Sequence, residues 1–187
     1  MADKIYLSSE DLHNDALKLA QMVLNSGFRP TIIIALWRGG SPIGIAVQEF
    51  LDHYSSTQSD HIAIRTSSYS GIEDQSRVVK IHGLSYLVKN MNRDDSLLVV
   101  DDVFDTGRTI DALIKEIELK CRKNKPKEIR VAVPWYKPEK NETDFEPDYF
   151  IHTTKEWIKF PFSLEGLTVD EIKLNRPEIY DIIKDAL

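Results

Sequence analysis

The chain has a single cysteine, Cys121, among its 187 residues. An internal disulfide is therefore impossible, and a reducing compartment such as the cytoplasm fits this composition. The longest apolar run covers residues 32–37, which is far too short to cross a lipid bilayer. The first four residues, Met-Ala-Asp-Lys, do not begin a basic-then-apolar signal peptide. We therefore expect a cytoplasmic protein that does not enter a membrane.

Positive charge is also scarce, since 24 Lys and Arg residues stand against 30 Asp and Glu residues, a formal net charge of −6. Proteins that bind nucleic acid neutralise phosphates with clustered lysine and arginine, so no nucleic-acid partner is expected. The five histidines are scattered and lack the spacing of metal ligands. The sequence also has no internal repeat and no low-complexity segment.

Apolar segments that predict strands alternate with amphipathic segments that predict helices. Ser8 and Asp11 have the spacing of a capping box ahead of a first helix. Residues 31–37 predict a strand buried on both faces, and Ser41 followed by Pro42 predicts the N-cap and first residue of a second helix. This alternation is typical of a parallel α/β sheet, and the length is typical of one domain. Further strands are predicted at residues 61–66, 77–81, 97–100, 129–133, 148–151 and 156–160, a polar loop at 67–76, and one or two short helices after residue 166.

The most informative segment is the motif VVDDVFDTGRT at residues 99–109. An apolar strand runs directly into Asp101 and Asp102, a short loop carries Asp105, and a helical pattern follows. Ligands of open α/β sheets lie beyond the carboxyl ends of strands, and the N–H groups that begin a helix attract phosphate. Carboxylates at a strand end accept hydrogen bonds from sugar hydroxyls or hold a hard metal ion. The segment could therefore bind a sugar phosphate at both ends; the alternative is a strand that ends in solvated aspartates before an ordinary helix cap.

This motif resembles the binding motif for phosphoribosyl pyrophosphate (PRPP) in type I phosphoribosyltransferases. The resemblance implies the fold of that family, an open, mostly parallel, twisted α/β sheet flanked by helices, with a small hood over the active site. It places all of residues 1–187 in one domain, with a core at about 8–134. The hood would span about 135–165 with N-terminal contributions, and a helical tail would span about 166–187. Because the family is usually dimeric or tetrameric, a homodimer or homotetramer is expected.

The resemblance also implies which residues bind PRPP. Asp101 and Asp102 would bind the ribose hydroxyls and hold Mg²⁺, directly or through water. Magnesium is expected because it suits oxygen ligands and neutralises the leaving pyrophosphate. The 5′-phosphate would be held by the loop formed by Asp105, Thr106, Gly107, Arg108 and Thr109.

The segment LWRGG at residues 36–40 resembles the pyrophosphate loop of the family. Glycine lets the backbone approach an anion closely, and Arg38 beside Gly39 would add charge-assisted donors. A plain glycine turn before a capped helix is the alternative. Members of the family often have a cis peptide bond before the basic residue, which here is the Trp37–Arg38 bond, although the bulky Trp37 departs from the usual pattern.

Three further segments would act on the purine base. Ser68 and Tyr69 resemble a pair in a flexible loop that closes over the site and excludes water, and an ordinary exposed loop is the alternative. Lys137 resembles the lysine that donates to the purine 6-oxo group, since an ammonium has donors only; the alternative is a surface lysine. Trp157 and Ile158 lie in a Trp-Ile-x-x-Pro-aromatic signature of purine enzymes and would contact the base or else belong to the core.

Asp105 separates the branches of the family, because enzymes for 6-oxopurines commonly have aspartate before Thr-Gly. This carboxylate would hydrogen-bond purine N7 and act as the general acid/base, whereas the alternative is a helix-capping carboxylate. The resemblance thus implies an enzyme that transfers the phosphoribosyl group of PRPP to hypoxanthine, guanine or xanthine. Its products would be a purine nucleoside monophosphate and pyrophosphate, as in purine salvage. The alternatives are a non-catalytic PRPP-sensing regulator of the same fold and a phosphoribosyltransferase for another base, such as adenine or orotate.

Overall fold

A computed structural model describes residues 4–70 and 77–186 of the chain. The described strands are β1 (Lys4–Tyr6), β2 (Ile32–Trp37), β3 (Asp60–Ser70), β4 (Arg77–His82), β5 (Ser96–Val100), β6 (Val103–Phe104), β7 (Glu128–Tyr136), β8 (Tyr149–Thr153) and β9 (Trp157–Lys159). The described α-helices are α1 (Ser9–Asn25), α2 (Gly40–Tyr54), α3 (Ser85–Asn90), α4 (Arg108–Cys121), α5 (Val169–Asn175) and α6 (Pro177–Ile183). Short 3₁₀ turns follow at Arg122–Asn124, Pro138–Lys140 and Lys184–Ala186.

The central sheet has the order β4-β3-β2-β5-β7-β6, and β8 also pairs with β7. Every pair in it is parallel except β3 with β4. In the middle of the sheet, Ile34 lies opposite Val99, which in turn lies opposite Val131. Such central strands are buried on both faces, which explains why they are almost wholly apolar. The mostly parallel α/β architecture predicted from the sequence is confirmed.

Side chains of successive strand residues point to opposite faces, so the sheet has two cores. Ile33, Leu98 and Val100 pack against α1 and α2 on one face. Ile34 and Val99 pack with α3 and α4 on the other face. The sheet is therefore the middle layer of three, and the loops at its carboxyl edge lie between the two helical layers.

The two predicted helix starts have different outcomes. The capping box is confirmed, since the Asp11 N–H donates to Ser8 Oγ over 3.0 Å and the Ser8 N–H donates to Asp11 Oδ2 over 3.1 Å. The prediction that Ser41 caps α2 is wrong, because the helix already begins at Gly40. The Ser41 N–H donates to the Arg38 carbonyl oxygen over 3.1 Å, which places Ser41 inside the first turn.

The strand predicted at residues 61–66 continues to Ser70, so the predicted loop is wrong for residues 67–70. The backbone of this polar stretch pairs with β4, with Ser68 opposite Val79 and Tyr69 opposite Val78. Neighbouring backbone groups thus supply the hydrogen bonds that support a strand of weak apolar character. Residues 71–76, which the prediction included in the same loop, lie outside the described residues.

A second, two-stranded sheet pairs β1 with β9 in parallel. Residues Lys4–Tyr6 of the N-terminal segment therefore pair with Trp157–Lys159, which lie inside the span predicted for the hood. In contrast, β8 lies within the span predicted for the hood but pairs with β7 of the central sheet. The tail forms α5 and α6, as predicted. None of the described helices has the length and apolar character of a membrane span.

Candidate active site

A cavity of about 390 Å³ opens at the carboxyl edge of the central sheet. Because β2, β5 and β7 are parallel neighbours, the segments that follow them meet at this edge. The predicted site residues that line the cavity are Arg38, Gly39, Asp101, Asp102, Asp105, Thr109, Lys137, Trp157 and Ile158. Segments separated by up to 120 positions in the chain therefore share one cavity.

The loop after β2 lies against the carboxylates that follow β5. A Cβ atom on Gly39 would lie 1.8 Å from Asp102 Oδ2, so only glycine allows this approach. The Trp37–Arg38 peptide bond is cis, a conformation that the family resemblance suggested for this bond but the sequence did not determine. The Arg38 side chain is 75% exposed, and its guanidinium lies 3.9 Å from the exposed Glu165 carboxylate. An exposed pair of this kind contributes little stability, so Arg38 is free to turn toward an anion in the cavity.

Asp101 and Asp102 are adjacent carboxylates with little compensation for their charge. The Asp102 N–H donates to Asp101 Oδ1 over 2.9 Å, and the Asp101 N–H donates to the Ala132 carbonyl oxygen over 3.2 Å. No basic side chain in the described parts of the chain forms an ion pair with either carboxylate. Burial and the charge of Asp102 raise the pKa of Asp101 well above its usual range, and burial raises the pKa of Asp102 to about 6.

These raised pKa values predict that the ligand-free protein loses stability as the pH rises. A carboxyl group with a raised pKa binds its proton more tightly in the folded state than in the unfolded state. The free energy of unfolding therefore falls between about pH 4, the unfolded pKa, and about pH 6, the folded pKa of Asp102. We expect Asp102→Asn to raise the free energy of unfolding by about 1–2 kcal/mol at pH 7.5, after a discount for the partial exposure of Asp102.

Urea unfolding at pH 7.5 and pH 4.5 tests this expectation. The gain should fall by more than half at pH 4.5, where the folded wild type already holds the proton. Asp105→Asn is the matched control, since Asp105 forms an ion pair with Lys137 and its replacement should not stabilise the protein. A less stable Asp102→Asn variant at pH 7.5 would contradict the expectation.

The loop after Asp102 leads into an uncapped helix. Gly107 is the N-cap residue of α4, has φ +77°, and provides no side-chain hydrogen bond to the first turn. A Cβ there would lie 2.7 Å from the Phe104 ring, so the turn requires glycine for space as well as for conformation. The first N–H groups of a helix have no intrahelical partner, and these remain available to an anion. Thr109 lines the cavity, while Thr106, Gly107 and Arg108 form the turn beside it.

Lys137 and Asp105 form an ion pair at the other side of the cavity. Lys137 Nζ donates to Asp105 Oδ2 over 3.0 Å, and the lysine side chain is 3% exposed. The more exposed Lys140 Nζ lies 3.9 Å from the other carboxylate oxygen, Oδ1. The surface-lysine alternative for Lys137 is therefore wrong. The capping alternative for Asp105 also fails, because its Oδ2 accepts from Lys137 and its buried Oδ1 accepts no hydrogen bond from the described residues.

The wall that faces this ion pair comes from β9. Trp157 is 54% exposed and its ring centroid lies 5.6 Å from Lys137 Nζ. Ile158 is buried, packs in the core with α1, and also lines the cavity. The core alternative is thus wrong for Trp157. Ile158 belongs to the core and also lines the cavity. An exposed indole beside a buried ammonium forms a surface suited to a flat, polar ring.

The structure differs from the sequence-based expectations at two groups of residues. The backbone of Ser68 and Tyr69 lies in β3, a strand rather than the predicted loop, and their side chains are outside the described set. The cavity is also lined by residues that were not predicted as site residues, namely Thr66, Val103, Phe160, Phe162, Ser163, Leu164 and Glu165. The Pro-aromatic end of the Trp157 signature could have indicated Phe162, but no local pattern marks Glu165.

The sheet order, the carboxylate loop and the small β1–β9 sheet together define the type I phosphoribosyltransferase fold. Residues 6–167 match the family model of the phosphoribosyl transferase domain. The chain therefore belongs to the phosphoribosyltransferase family. A comparison with curated proteins gives no match.

Solved structures of purine phosphoribosyltransferases have the same fold. The enzyme of Pyrococcus horikoshii Ot3 is 26% identical, with a TM-score of 0.70 over 88% of this chain and 97% of that chain. The xanthine-guanine-hypoxanthine phosphoribosyltransferase of Helicobacter pylori is 20% identical, with a TM-score of 0.68 over 95% and 99%. A hypothetical protein of Neisseria gonorrhoeae with bound ppGpp is 23% identical, with a TM-score of 0.72 over 95% and 98%. At identities below 25%, the last two show the shared fold.

Proposed function

We propose that this protein is a 6-oxopurine phosphoribosyltransferase, which transfers the phosphoribosyl group of PRPP to hypoxanthine, guanine or xanthine. One observation carries the proposal: a single cavity has the start of a helix with free N–H groups on one side and a buried ammonium beside an exposed indole on the other. The first part suits a phosphorylated sugar, and the second suits a planar base with a carbonyl oxygen.

The proposed roles follow from these positions. The N–H groups at the start of α4, with the Thr106 and Thr109 hydroxyls, hold the 5′-phosphate. Arg38 and Gly39 bind the pyrophosphate group. Asp101 and Asp102 accept hydrogen bonds from the ribose hydroxyls.

The base binds between Trp157 and Ile158 with its 6-oxo group toward Lys137. The bond between the ribose C1 carbon and pyrophosphate breaks, and its electron pair leaves with pyrophosphate. A purine nitrogen forms the new bond to that carbon, and Asp105 takes the proton that the purine loses. The anionic groups nearby stabilise the positive charge that develops on the ribose ring.

Asp101 and Asp102 also suit a magnesium ion. They are adjacent carboxylates without an ionic partner in the described residues, and their raised pKa values reflect uncompensated buried charge. Magnesium is usually held by one or two carboxylates together with phosphate oxygens of the substrate. Bound there, the ion would neutralise the charge of PRPP and of the departing pyrophosphate.

A direct assay tests the proposed function. The protein is incubated with PRPP, Mg²⁺ and each of hypoxanthine, guanine, xanthine and adenine, and nucleoside monophosphate is quantified by chromatography. The proposal expects product with at least one of the three 6-oxopurines and little with adenine. Product with adenine alone would contradict the assigned branch. PRPP binding without turnover of any base would favour a PRPP-sensing regulator.

Binding of PRPP should also stabilise the fold. A ligand that binds only the folded state adds free energy according to its concentration relative to its Kd. At a hundredfold excess over Kd, PRPP with Mg²⁺ should raise the free energy of unfolding by about 2.7 kcal/mol. Differential scanning fluorimetry with increasing PRPP measures this effect as a rising Tm. A Tm that does not change at saturating PRPP and Mg²⁺ would contradict the proposal that the folded protein binds PRPP.

A further inference from the structure

Arg176 is a buried cation in the C-terminal helices, beyond residues 6–167 that match the family model. Its side chain is 4% exposed. Within the described residues it has no carboxylate partner, and its Nε atom is buried without a hydrogen bond. Burial of a charge without a counter-ion is costly, so this side chain needs a structural or functional reason.

The hydrogen bonds of Arg176 connect the C-terminal helices to β9, the strand that carries Trp157 and Ile158. Its Nη2 donates to the Lys159 carbonyl oxygen over 2.8 Å, and this oxygen also accepts from the Leu7 N–H over 3.1 Å. Its own N–H donates to the Ile172 carbonyl oxygen over 2.7 Å, at the end of α5. Arg176 therefore joins α5 and α6 to both strands of the small sheet at one point.

Lys159 transmits this connection to the wall of the cavity. It follows Trp157 and Ile158 directly in β9. A shift of the Lys159 main chain would therefore move both side chains relative to the cavity. Its buried ammonium donates to the Glu165 carbonyl oxygen over 2.6 Å. Glu165 also lines the cavity, so the Lys159 side chain ties β9 to the loop that follows it.

The second contact between the tail and the small sheet lies at the other strand. Lys4 of β1 forms an ion pair with Glu171 of α5, and the Tyr6 hydroxyl donates to the same carboxylate over 3.4 Å. These groups are partly exposed, whereas the Arg176 contact is buried. A buried charge-assisted hydrogen bond is the stronger constraint on geometry.

We propose that Arg176 is a positioning residue. It holds β9, and with it Trp157 and Ile158, in the position that the purine base requires. This inference rests on the proposed function, because it assigns the base to that wall. The proposed phosphate-binding loops belong to the central sheet, and among the described residues no hydrogen bond joins them to Arg176. Its loss should therefore weaken use of the base and leave PRPP binding unchanged.

Steady-state kinetics of Arg176→Met, which keeps the length and apolar stem, test the proposal. Loss of one charge-assisted hydrogen bond should raise KM for the base about tenfold, with KM for PRPP changed less than about twofold. Arg176→Lys keeps a cation of shorter reach and should restore part of the loss. Lys184→Met is the matched control, because it removes an exposed cation from the end of the tail, where its ammonium pairs with Asp181 three residues earlier, and it should behave as wild type.

Hydrogen exchange separates this inference from the proposed function, since it needs no substrate. In Arg176→Met the Leu7 amide, which donates to the Lys159 carbonyl oxygen, should exchange about tenfold faster, while Val99 in the central sheet stays unchanged. If Arg176→Met does not fold, Arg176→Lys provides both measurements. Wild-type exchange at Leu7, or an equal rise of KM for base and PRPP, would overturn the positioning role. A wild type that converts no purine would instead overturn the proposed function.

Discussion

Asp105→Asn is expected to lower turnover by about 10²–10⁴-fold, the usual contribution of a general acid/base. The substitution keeps the size of the side chain but removes its capacity to take the proton from the purine. The affinity for PRPP should change much less, because backbone N–H groups and threonine hydroxyls hold the 5′-phosphate in the proposed complex. Single-turnover kinetics with the preferred base, together with a PRPP titration, measure both quantities.

The matched control for this variant acts on the neighbouring carboxylates. A protein with both Asp101→Asn and Asp102→Asn should lose affinity for PRPP and Mg²⁺, a pattern opposite to that of Asp105→Asn. Since Asp105 is the ionic partner of buried Lys137, the Tm of Asp105→Asn must be measured beside the kinetics. Near-normal turnover in a folded Asp105→Asn protein would show that this carboxylate only holds Lys137 in place.

Lys137→Met is expected to reduce kcat/KM for 6-oxopurines by about 10–100-fold. A hydrogen bond from a charged donor contributes roughly 1.5–3 kcal/mol, and a methionine side chain fills similar space without a donor. In this variant the partly exposed Asp105 carboxylate still has the Lys140 ammonium 3.9 Å from its Oδ1 atom. The Kd for PRPP should change less than about threefold, because Lys137 lies on the base side of the cavity.

Lys140→Met is the control for Lys137→Met, since it removes the second and more exposed lysine near the same carboxylate. We expect it to retain most of the activity toward 6-oxopurines, because its ammonium lies 3.9 Å from Asp105 Oδ1 and half of its stem faces solvent. Kinetics with hypoxanthine, guanine and xanthine distinguish the two variants. Equal losses in both would show that the total charge around Asp105, rather than the donor on Lys137, determines the rate.

The central strands were predictable because their burial leaves a local trace. A strand with helices on both faces is apolar at every position, and β2 and β5 are recognisable for this reason. The capping box at Ser8 and Asp11 is also local, since both partners lie within one helical turn. By contrast, α3 and β6 are too short to show a period, and neither was predicted.

The predictions failed where a distant partner replaced a local signal. Residues 67–70 are polar, and this pattern predicts a loop. Pairing with β4 nevertheless makes them part of a strand. Ser41 has a good capping side chain, but the turn at Arg38 starts the helix one residue earlier. In both cases the backbone hydrogen bonds depend on geometry that the side-chain pattern does not describe.

The sequence by itself determined the chemistry of the site and the order of its parts. Three candidate segments directly follow the apolar strands β2, β5 and β7, and a parallel sheet brings such segments to one edge. Only the tertiary structure decided how these groups interact: it buries Lys137 against Asp105, raises the pKa of Asp102, and ties Arg176 to the Lys159 carbonyl. Ion pairing and desolvation depend on distances between residues far apart in the chain, and neither composition nor periodicity contains those distances.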